Sequence, residues 1–218
     1  MAFNVAIDGP AGAGKSTIAK MVAKEKGFIY VDTGAMYRAM ALYFLKKGIR
    51  PEESDKISAA VDGADVTIEY VNGEQQVLLN GENVTPYLRT EEVGNMASVS
   101  SANADVRRKL VELQQKLAAT SNVVMDGRDI GTCVLPNADV KVYLTASSVV
   151  RANRRYKELI EKGQEADWDT IKKDIEERDY RDMHRDISPL RQAEDAILID
   201  SSDMTIEENI QAILNLMN

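Results

Sequence analysis

The sequence is poor in the features that build disulfides, metal centres and membrane spans. Its 218 residues include one cysteine, Cys133, which excludes an internal disulfide and provides no metal-ligand spacing. A single cysteine is typical of a protein from a reducing compartment. No apolar run approaches the length of a transmembrane helix. The first predicted strand begins at residue 3, which leaves no room for a signal peptide. We therefore expect a cytoplasmic protein without a membrane partner.

Excess positive charge is also absent. The 27 lysines and arginines are outnumbered by 35 aspartates and glutamates, which gives a net charge of −8. A nucleic-acid-binding protein needs a broad basic surface, so we expect no nucleic-acid partner. The chain contains no Asn-Lys pair, which excludes the guanine-reading Asn-Lys-x-Asp segment of a GTPase switch. Its length and its hydrophobic content of 44% suit one α/β domain with a small insertion.

The most informative segment follows the first predicted strand, residues 3–8, and precedes a predicted helix, residues 17–26. It matches the phosphate-binding pattern G-x-x-x-x-G-K-[ST] at every fixed position. Lys15 can reach the β- and γ-phosphates of a nucleotide, and the Ser16 hydroxyl can bind Mg²⁺. A glycine-rich turn without a ligand is the alternative, but both flanks favour a phosphate-binding loop. The predicted ATP-binding residues here are Gly9, Pro10, Ala11, Gly12, Ala13, Gly14, Lys15, Ser16 and Thr17.

The remaining chain alternates between strands and helices. Short apolar runs predict strands at residues 28–31, 122–125, 139–144 and 196–199, and amphipathic segments predict helices between them. Two Asn-Gly pairs, at residues 72–73 and 80–81, predict a small antiparallel meander. Thr33 is a candidate N-cap, and one later helix is predicted to bury Val106, Leu110, Leu113 and Leu117. This pattern predicts an α/β P-loop fold of three layers, with a central parallel sheet flanked by helices.

Acidic and basic residues accumulate where this fold places its ligands. Asp126 directly follows the predicted strand 122–125 and is the expected Mg²⁺ partner, with an Asp-Gly turn as the structural alternative. Arg38, Arg128 and Arg185 also lie near predicted site-edge loops or helix ends. Phosphoryl transfer between two phosphorylated molecules suits such planar guanidinium groups. A four-residue set is predicted to share one helix face: Arg178, Arg181, Asp182 and Arg185.

Four segments together resemble bacterial cytidylate kinases, and the resemblance spans essentially the whole chain. They are Ile-Asp-Gly-Pro-Ala-Gly-Ala-Gly-Lys-Ser-Thr (7–17), Asp-Thr-Gly-Ala-Met-Tyr-Arg (32–38), Asp-Gly-Arg-Asp-Ile-Gly-Thr (126–132) and Glu-Arg-Asp-Tyr-Arg-Asp-Met-His-Arg (177–185). The first is common to many families, whereas the other three, in this order and spacing, are more discriminating. The resemblance implies a monomeric kinase that transfers the γ-phosphoryl group of ATP·Mg²⁺ to CMP or dCMP.

The resemblance also implies roles for individual residues. Lys15, Arg38, Arg128 and Arg185 would be catalytic, Ser16 and Asp126 would hold the metal, and Arg154 would join the ATP site. The acceptor phosphate would contact Thr33, Tyr37, Arg38, Arg128 and Arg185, the cytosine would contact Ser98, Arg107 and Asp129, and the sugar would contact Arg178 and Asp182. The implied organisation is one kinase domain over residues 1–218. Its parts are a core (about 1–62, 88–150 and 178–218), an acceptor-binding β insertion (about 63–87) and a helical lid (about 151–177).

Two alternatives remain at this stage. Another small-molecule P-loop kinase would act on UMP, AMP or a non-nucleotide alcohol, and a nucleotide-binding switch would bind tightly and hydrolyse slowly. The cytosine set disfavours the first alternative. A guanidinium can donate to N3 and O2 of cytosine while a carboxylate or hydroxyl accepts from the amino group, and uracil reverses two of these features. His184 receives no role.

Overall fold

The structure, a computed structural model, describes residues 2–217, and the chain folds into two compact units. One unit combines the chain up to Tyr30 with the chain from Ser121 onward, and the second unit extends from Val31 to Thr120. We call them the sheet unit and the insertion unit. In chain order the elements are β1 (Asn4–Asp8), α1 (Lys15–Lys26), β2 (Ile29–Asp32), α2 (Thr33–Lys46), α3 (Ser54–Ala60), β3 (Val66–Val71), β4 (Glu74–Leu79), β5 (Glu82–Asn83), α4 (Glu91–Ser100), α5 (Ala104–Thr120), β6 (Val123–Gly127), β7 (Val140–Thr145), α6 (Ser148–Glu161), α7 (Trp168–His184), β8 (Ile197–Asp200) and α8 (Ile206–Leu216).

The predicted parallel sheet has five strands in the order β2-β6-β1-β7-β8. β1 pairs in parallel with β6 and with β7, and β7 pairs in parallel with β8. The central strands are continuous apolar runs such as Val5-Ala6-Ile7, as expected for strands that are buried on both faces. Ile18 and Val22 of α1 and Ile210 and Ile213 of α8 pack in the same core. Parallel strands direct their carboxyl ends to one edge, where Asp8 and Asp126 lie.

The insertion unit contains the predicted antiparallel meander, β3-β4-β5, and the helices α2 to α5. Asn72 and Gly73 both have positive φ, 54° and 79°, which is the backbone of a two-residue hairpin turn of type I′. The register pairs Val66 with Leu79 and Val71 with Glu74. The α/β fold with a small antiparallel insertion is therefore confirmed.

Three local predictions were wrong in whole or in part. The N-cap of α2 is Asp32 and not Thr33, because the Asp32 carboxylate accepts the Ala35 N–H at 2.9 Å. In α5, Leu113 and Leu117 are half-buried, while Gln114 and Ala118 are buried. Four residues advance 400° along a helix, so the buried stripe that starts at Val106 drifts toward these positions.

The helical face predicted near residue 180 is also incomplete. Asp182 is buried, but Arg181 is exposed, and Arg185 lies one residue beyond the end of α7 with extended backbone.

Across residues 2–217 no helix combines the length and the apolar character that crossing a membrane requires.

Candidate active site

The loop between β1 and α1 begins with Gly9, whose backbone packs closely against β7. Gly9 has φ of 147°, and a Cβ atom at this position would collide with the carbonyl oxygen of Leu144 in β7. α1 begins at Lys15, directly after its N-cap residue Gly14, which makes no side-chain hydrogen bond to the first turn. The first N–H groups of α1 are therefore available to an anion, as phosphate binding at a helix N-terminus requires.

Side-chain donors fix two carbonyl groups of this loop. Arg151 Nη1 donates to Ala11 O at 2.9 Å, and Ser201 Oγ donates to Ala13 O at 3.3 Å. The C=O and the following N–H of a planar trans peptide point in opposite directions. Holding these carbonyls against Arg151 and Ser201 therefore turns the next two N–H groups, those of Gly12 and Gly14, away from those side chains.

Lys15 is buried and lies folded onto its own loop. Its Nζ donates to Pro10 O at 2.7 Å, and only 5% of the residue is exposed. Burial, followed by the nearby charge of Arg128, lowers the pKa of Lys15 well below its usual range, although Asp126 and Asp8 oppose this change. An anion bound beside Lys15 would raise that pKa again, because opposite charge favours the ammonium form. The charge on Lys15 therefore depends on whether an anion lies beside it.

The two predicted metal ligands converge. Ser16 Oγ donates to Asp126 Oδ2 at 2.9 Å, and Tyr30 Oη donates to Asp126 Oδ1 at 2.9 Å. Within residues 2–217 no group of three or more histidine, cysteine or acidic side chains is arranged to hold a metal ion. A hydroxyl and one carboxylate fit Mg²⁺, which takes oxygen ligands and completes its shell with water and phosphate oxygens.

Asp8 is a site residue that the sequence analysis missed. Its carboxylate accepts the N–H of Ile130 at 2.8 Å and that of Gly131 at 2.7 Å, and 4% of the residue is exposed. Burial raises the pKa of Asp8 to about 6, and its two backbone hydrogen bonds and Lys15 only partly counter this. The contact fixes the segment that follows Arg128 and Asp129. A buried strand that ends in an aspartate just before a phosphate loop was the available signal.

The predicted arginines and aspartates of the sheet unit form one network. Arg128 Nε donates to Asp182 Oδ2 at 2.9 Å, and Arg185 Nη2 lies 3.5 Å from Asp129 Oδ1. Burial by itself would raise the pKa of Asp182, but Arg128, Arg178 and Arg185 outweigh it and hold this pKa below its ordinary value. The network places two guanidinium groups beside two carboxylates. Ligand phosphates could therefore exchange with the carboxylates as partners of these arginines.

Two arginines at the start of α6, Arg151 and Arg154, make different contacts near the phosphate loop. Arg151 is buried and also pairs with Asp179 of α7 through both oxygens of that carboxylate, at 3.1 and 2.5 Å. Arg154, the predicted ATP ligand, donates to Ser201 O at 2.7 Å and to Ser201 Oγ at 3.3 Å. Because Ser201 itself contacts Ala13 O, Arg154 is linked to the phosphate loop through one residue.

The other half of the predicted acceptor set lies in the insertion unit. Arg107 is buried, its guanidinium carbon is 5.7 Å from the centre of the Tyr37 ring, and its Nη1 donates to Ser101 O at 3.3 Å. The buried hydroxyl of Ser98 has no hydrogen-bond partner among residues 2–217. Thr33 and Arg38 lie in the first turns of α2, buried and half-buried respectively. Tyr37 and Arg107 are therefore brought together, and a polar ligand would satisfy Ser98.

Comparison with known proteins gives a consistent result over nearly the whole chain. The sequence profile of the cytidylate kinase family matches residues 5–218. A cytidylate kinase from Caldicellulosiruptor saccharolyticus is 53% identical over 214 residues, which cover 98% of this chain and 95% of that protein. Those from Leuconostoc mesenteroides and Streptococcus pneumoniae are 49% identical over 215 residues (99% and 96% covered) and 48% identical over 212 residues (97% and 95% covered).

Solved structures agree on the fold. A shikimate kinase from Bacteroides thetaiotaomicron superimposes with a TM-score of 0.51 at 14% sequence identity, covering 99% of this chain and 98% of that chain. A protein of unknown function from Eubacterium ventriosum gives a TM-score of 0.53, also at 14% identity, over 99% and 97% of the chains. At this identity the likeness concerns the P-loop kinase fold alone.

Proposed function

This chain belongs to the cytidylate kinase family, and from that premise we propose that it transfers the γ-phosphoryl group of ATP to CMP or dCMP. The products are ADP and CDP or dCDP. The observation that carries the proposal is the match to the family over residues 5–218, which includes the phosphate loop and the three more discriminating segments. An oxygen of the acceptor phosphate attacks the γ-phosphorus in line, and the bond from that phosphorus to the β–γ bridging oxygen breaks.

The donor end of the site is supported by the geometry of the phosphate loop. We assign the loop residues 9–17 to the β- and γ-phosphates of ATP, with the α1 N-terminus directed at the same anion. Lys15 leaves Pro10 O to reach the transferring group. Its lowered pKa in the absence of an anion is consistent with a cation that gains its partner on binding. Arg154 is assigned to the ATP site through its link to Ser201 and the loop.

Mg²⁺ is the proposed cofactor, held by Ser16 and Asp126. When bound, Mg²⁺ neutralises charge on the phosphate oxygens. The contribution of the chain is to hold the two oxygen ligands together, and Tyr30 orients the Asp126 carboxylate from its other side.

Arginines are the main ligands of the acceptor phosphate in this proposal. Arg128 and Arg185 in the sheet unit, and Thr33, Tyr37 and Arg38 in the insertion unit, are assigned to it. Their guanidinium groups can donate two parallel hydrogen bonds to phosphate oxygens and offset the charge that spreads over the transferring group. Arg38, Arg128 and Arg185 are therefore the proposed catalytic arginines, together with Lys15.

Base and sugar selection use the remaining residues of the acceptor set. Arg107 would donate to the cytosine acceptors, and Ser98 and Asp129 would accept from the amino group. The Ser98 hydroxyl, which has no hydrogen-bond partner in the described part of the chain, supports this role. Arg178 and Asp182 are assigned to the ribose or deoxyribose. Uracil would leave buried groups without partners, so it should be rejected.

The remaining parts of the proposal concern organisation. We propose one kinase domain in which residues 63–87 serve the acceptor and residues 151–177 act as a lid that excludes water. We further propose that the enzyme works as a monomer in the cytoplasm, where both nucleotides are available.

A coupled assay of ADP release tests the proposed function. The purified protein is supplied with ATP·Mg²⁺ and with CMP, dCMP, UMP, AMP or GMP in turn, and a reaction without acceptor serves as the control. Rapid turnover restricted to CMP and dCMP is expected. Turnover with UMP or AMP would overturn the cytosine assignment, and slow hydrolysis with every acceptor would indicate a nucleotide-binding switch.

A further inference from the structure

The turn between β2 and α2 is held at a single residue, Asp32, through four of its atoms. Its Oδ1 accepts the Ala35 N–H at 2.9 Å and so caps α2. Its Oδ2 lies 3.3 Å from Arg89 Nη2. Its backbone N–H and C=O are both bonded to the side chain of Gln75 in β4. Asp32 is buried, so these contacts determine where the first turn of α2 begins.

The Gln75 contact has the form of one rung of a β-ladder. Asp32 N donates to Gln75 Oε1 at 2.8 Å, and Gln75 Nε2 donates to Asp32 O at 3.2 Å. The two bonds use the one acceptor and one of the two donors of a carboxamide, and they satisfy both backbone groups of the same residue. Of the other side chains of similar length, glutamate lacks the donor and methionine lacks both groups. The chemistry is therefore specific for glutamine at this position.

Gln75 lies in the outer half of the β3–β4 hairpin. The inner half is anchored in the core of the insertion unit by Val66, Val77 and Leu79, all of which are buried. Toward the turn, Val71 and Asn72 are exposed. Gln75 pairs with Tyr70 in the register, between the buried residues and the turn. The carboxamide therefore joins the outer hairpin to the backbone that precedes α2.

We propose that Gln75 is a positioning residue for acceptor binding, a role that rests on the proposed function. By fixing the backbone of Asp32, Gln75 sets the place and direction of the first turn of α2. That turn carries Thr33, and the following turn carries Tyr37 and Arg38; all three are assigned to the acceptor phosphate. A displacement of about 1 Å in such groups can reduce turnover by about a hundredfold. Gln75 itself touches neither nucleotide in this proposal.

The test compares Gln75→Met with Gln76→Met. Gln76 is the next residue of β4 and is also half-buried, but its Oε1 accepts from Asn83 Nδ2 at 2.9 Å, so its hydrogen bond stays within the three-stranded sheet. Both variants keep chain length and lose hydrogen bonds. We expect Gln75→Met to raise the KM for CMP about tenfold while the KM for ATP changes less than twofold. Gln76→Met should leave both KM values within twofold.

Two further measurements separate positioning from loss of fold. Amide hydrogen exchange of residues 32–38 in the nucleotide-free protein should become faster in Gln75→Met and not in Gln76→Met. Gln75→Glu keeps the acceptor for the Asp32 N–H but places a second oxygen opposite Asp32 O. The KM of this variant for CMP should therefore be raised as in Gln75→Met, and not remain at the wild-type value.

Each possible outcome is decisive. Equal KM changes for CMP and ATP, or equal effects of the two methionine variants, would overturn the proposal. Unchanged exchange at residues 32–38 in Gln75→Met would overturn it as well, whatever the kinetics. Absence of CMP turnover in the wild-type protein would instead defeat the proposed function, and the exchange experiment would still decide whether Gln75 fixes the turn.

Discussion

Replacement of Asp8 by asparagine tests the electrostatics of the phosphate loop most directly. The Asp8 carboxylate accepts two buried N–H groups, from Ile130 and Gly131. An asparagine offers one acceptor, and its NH₂ group would face the second N–H. Leaving one buried donor without a partner costs about 1–3 kcal/mol of folding free energy.

The charge of Asp8 acts in the opposite direction. Burial raises the pKa of Asp8 from 3.8 to about 6, which makes the ionised form about 3 kcal/mol less favourable in the folded than in the unfolded chain. This penalty applies above pH 6 and disappears below the unfolded pKa. The two effects therefore nearly cancel at pH 7.5. As the pH falls to 4, the wild-type protein should gain about 2–3 kcal/mol of unfolding free energy relative to Asp8→Asn.

Urea unfolding of both proteins at pH 4, 5, 6 and 7.5 measures this difference. Asp200→Asn is a matched control, because Asp200 also ends a parallel strand but is exposed, and hydrogen bonds from Ser202 lower its pKa. Asp200→Asn should destabilise the protein by a nearly constant amount from pH 7.5 to pH 5, and this effect should begin to weaken only near pH 4, because a lowered pKa stabilises the folded chain above the unfolded value. A stability difference between wild type and Asp8→Asn that does not change with pH would refute the reasoning. At pH 7.5 we also expect kcat to fall about tenfold or more, because the segment that carries Arg128 and Asp129 loses one of its anchors.

Three further predictions concern single residues. Lys15→Ala should lower kcat by about a hundredfold or more with an unchanged circular dichroism spectrum, because it removes a cation from the transferring group; wild-type turnover would contradict the assigned role. Arg107→Ala should raise the KM for CMP far more than the KM for ATP in the coupled assay, and equal changes would exclude it from base reading. Gln114→Met should raise the free energy of urea unfolding by about 1–3 kcal/mol, because both polar atoms of this fully buried side chain lack partners among residues 2–217. A destabilised Gln114→Met would show that an ordered water or an alternative rotamer satisfies the amide.

The sequence by itself determined the elements and the chemistry of the phosphate loop. The pattern of residues 9–16 and its flanking strand and helix can be recognised from local sequence alone, because strand and helix periodicities are local properties of the chain. The two Asn-Gly pairs likewise specified the hairpins, since the turn backbone requires residues that tolerate positive φ. The parallel sheet could be predicted as well, because strands that alternate with helices along a chain form parallel sheets.

The tertiary structure decided which polar groups became partners. The carboxylate of Asp8 meets N–H groups more than 120 residues away in sequence, and Gln75 meets Asp32 across 43 residues. No local pattern encodes such pairs, because they depend on how strands and helices from distant segments pack. The prediction of Thr33 as the N-cap was wrong for this reason. Either Asp32 or Thr33 can cap a helix, and the N-cap is Asp32, whose backbone is also hydrogen-bonded to Gln75 of β4. The sequence thus predicted which groups bind phosphate, and packing specified how those groups are held.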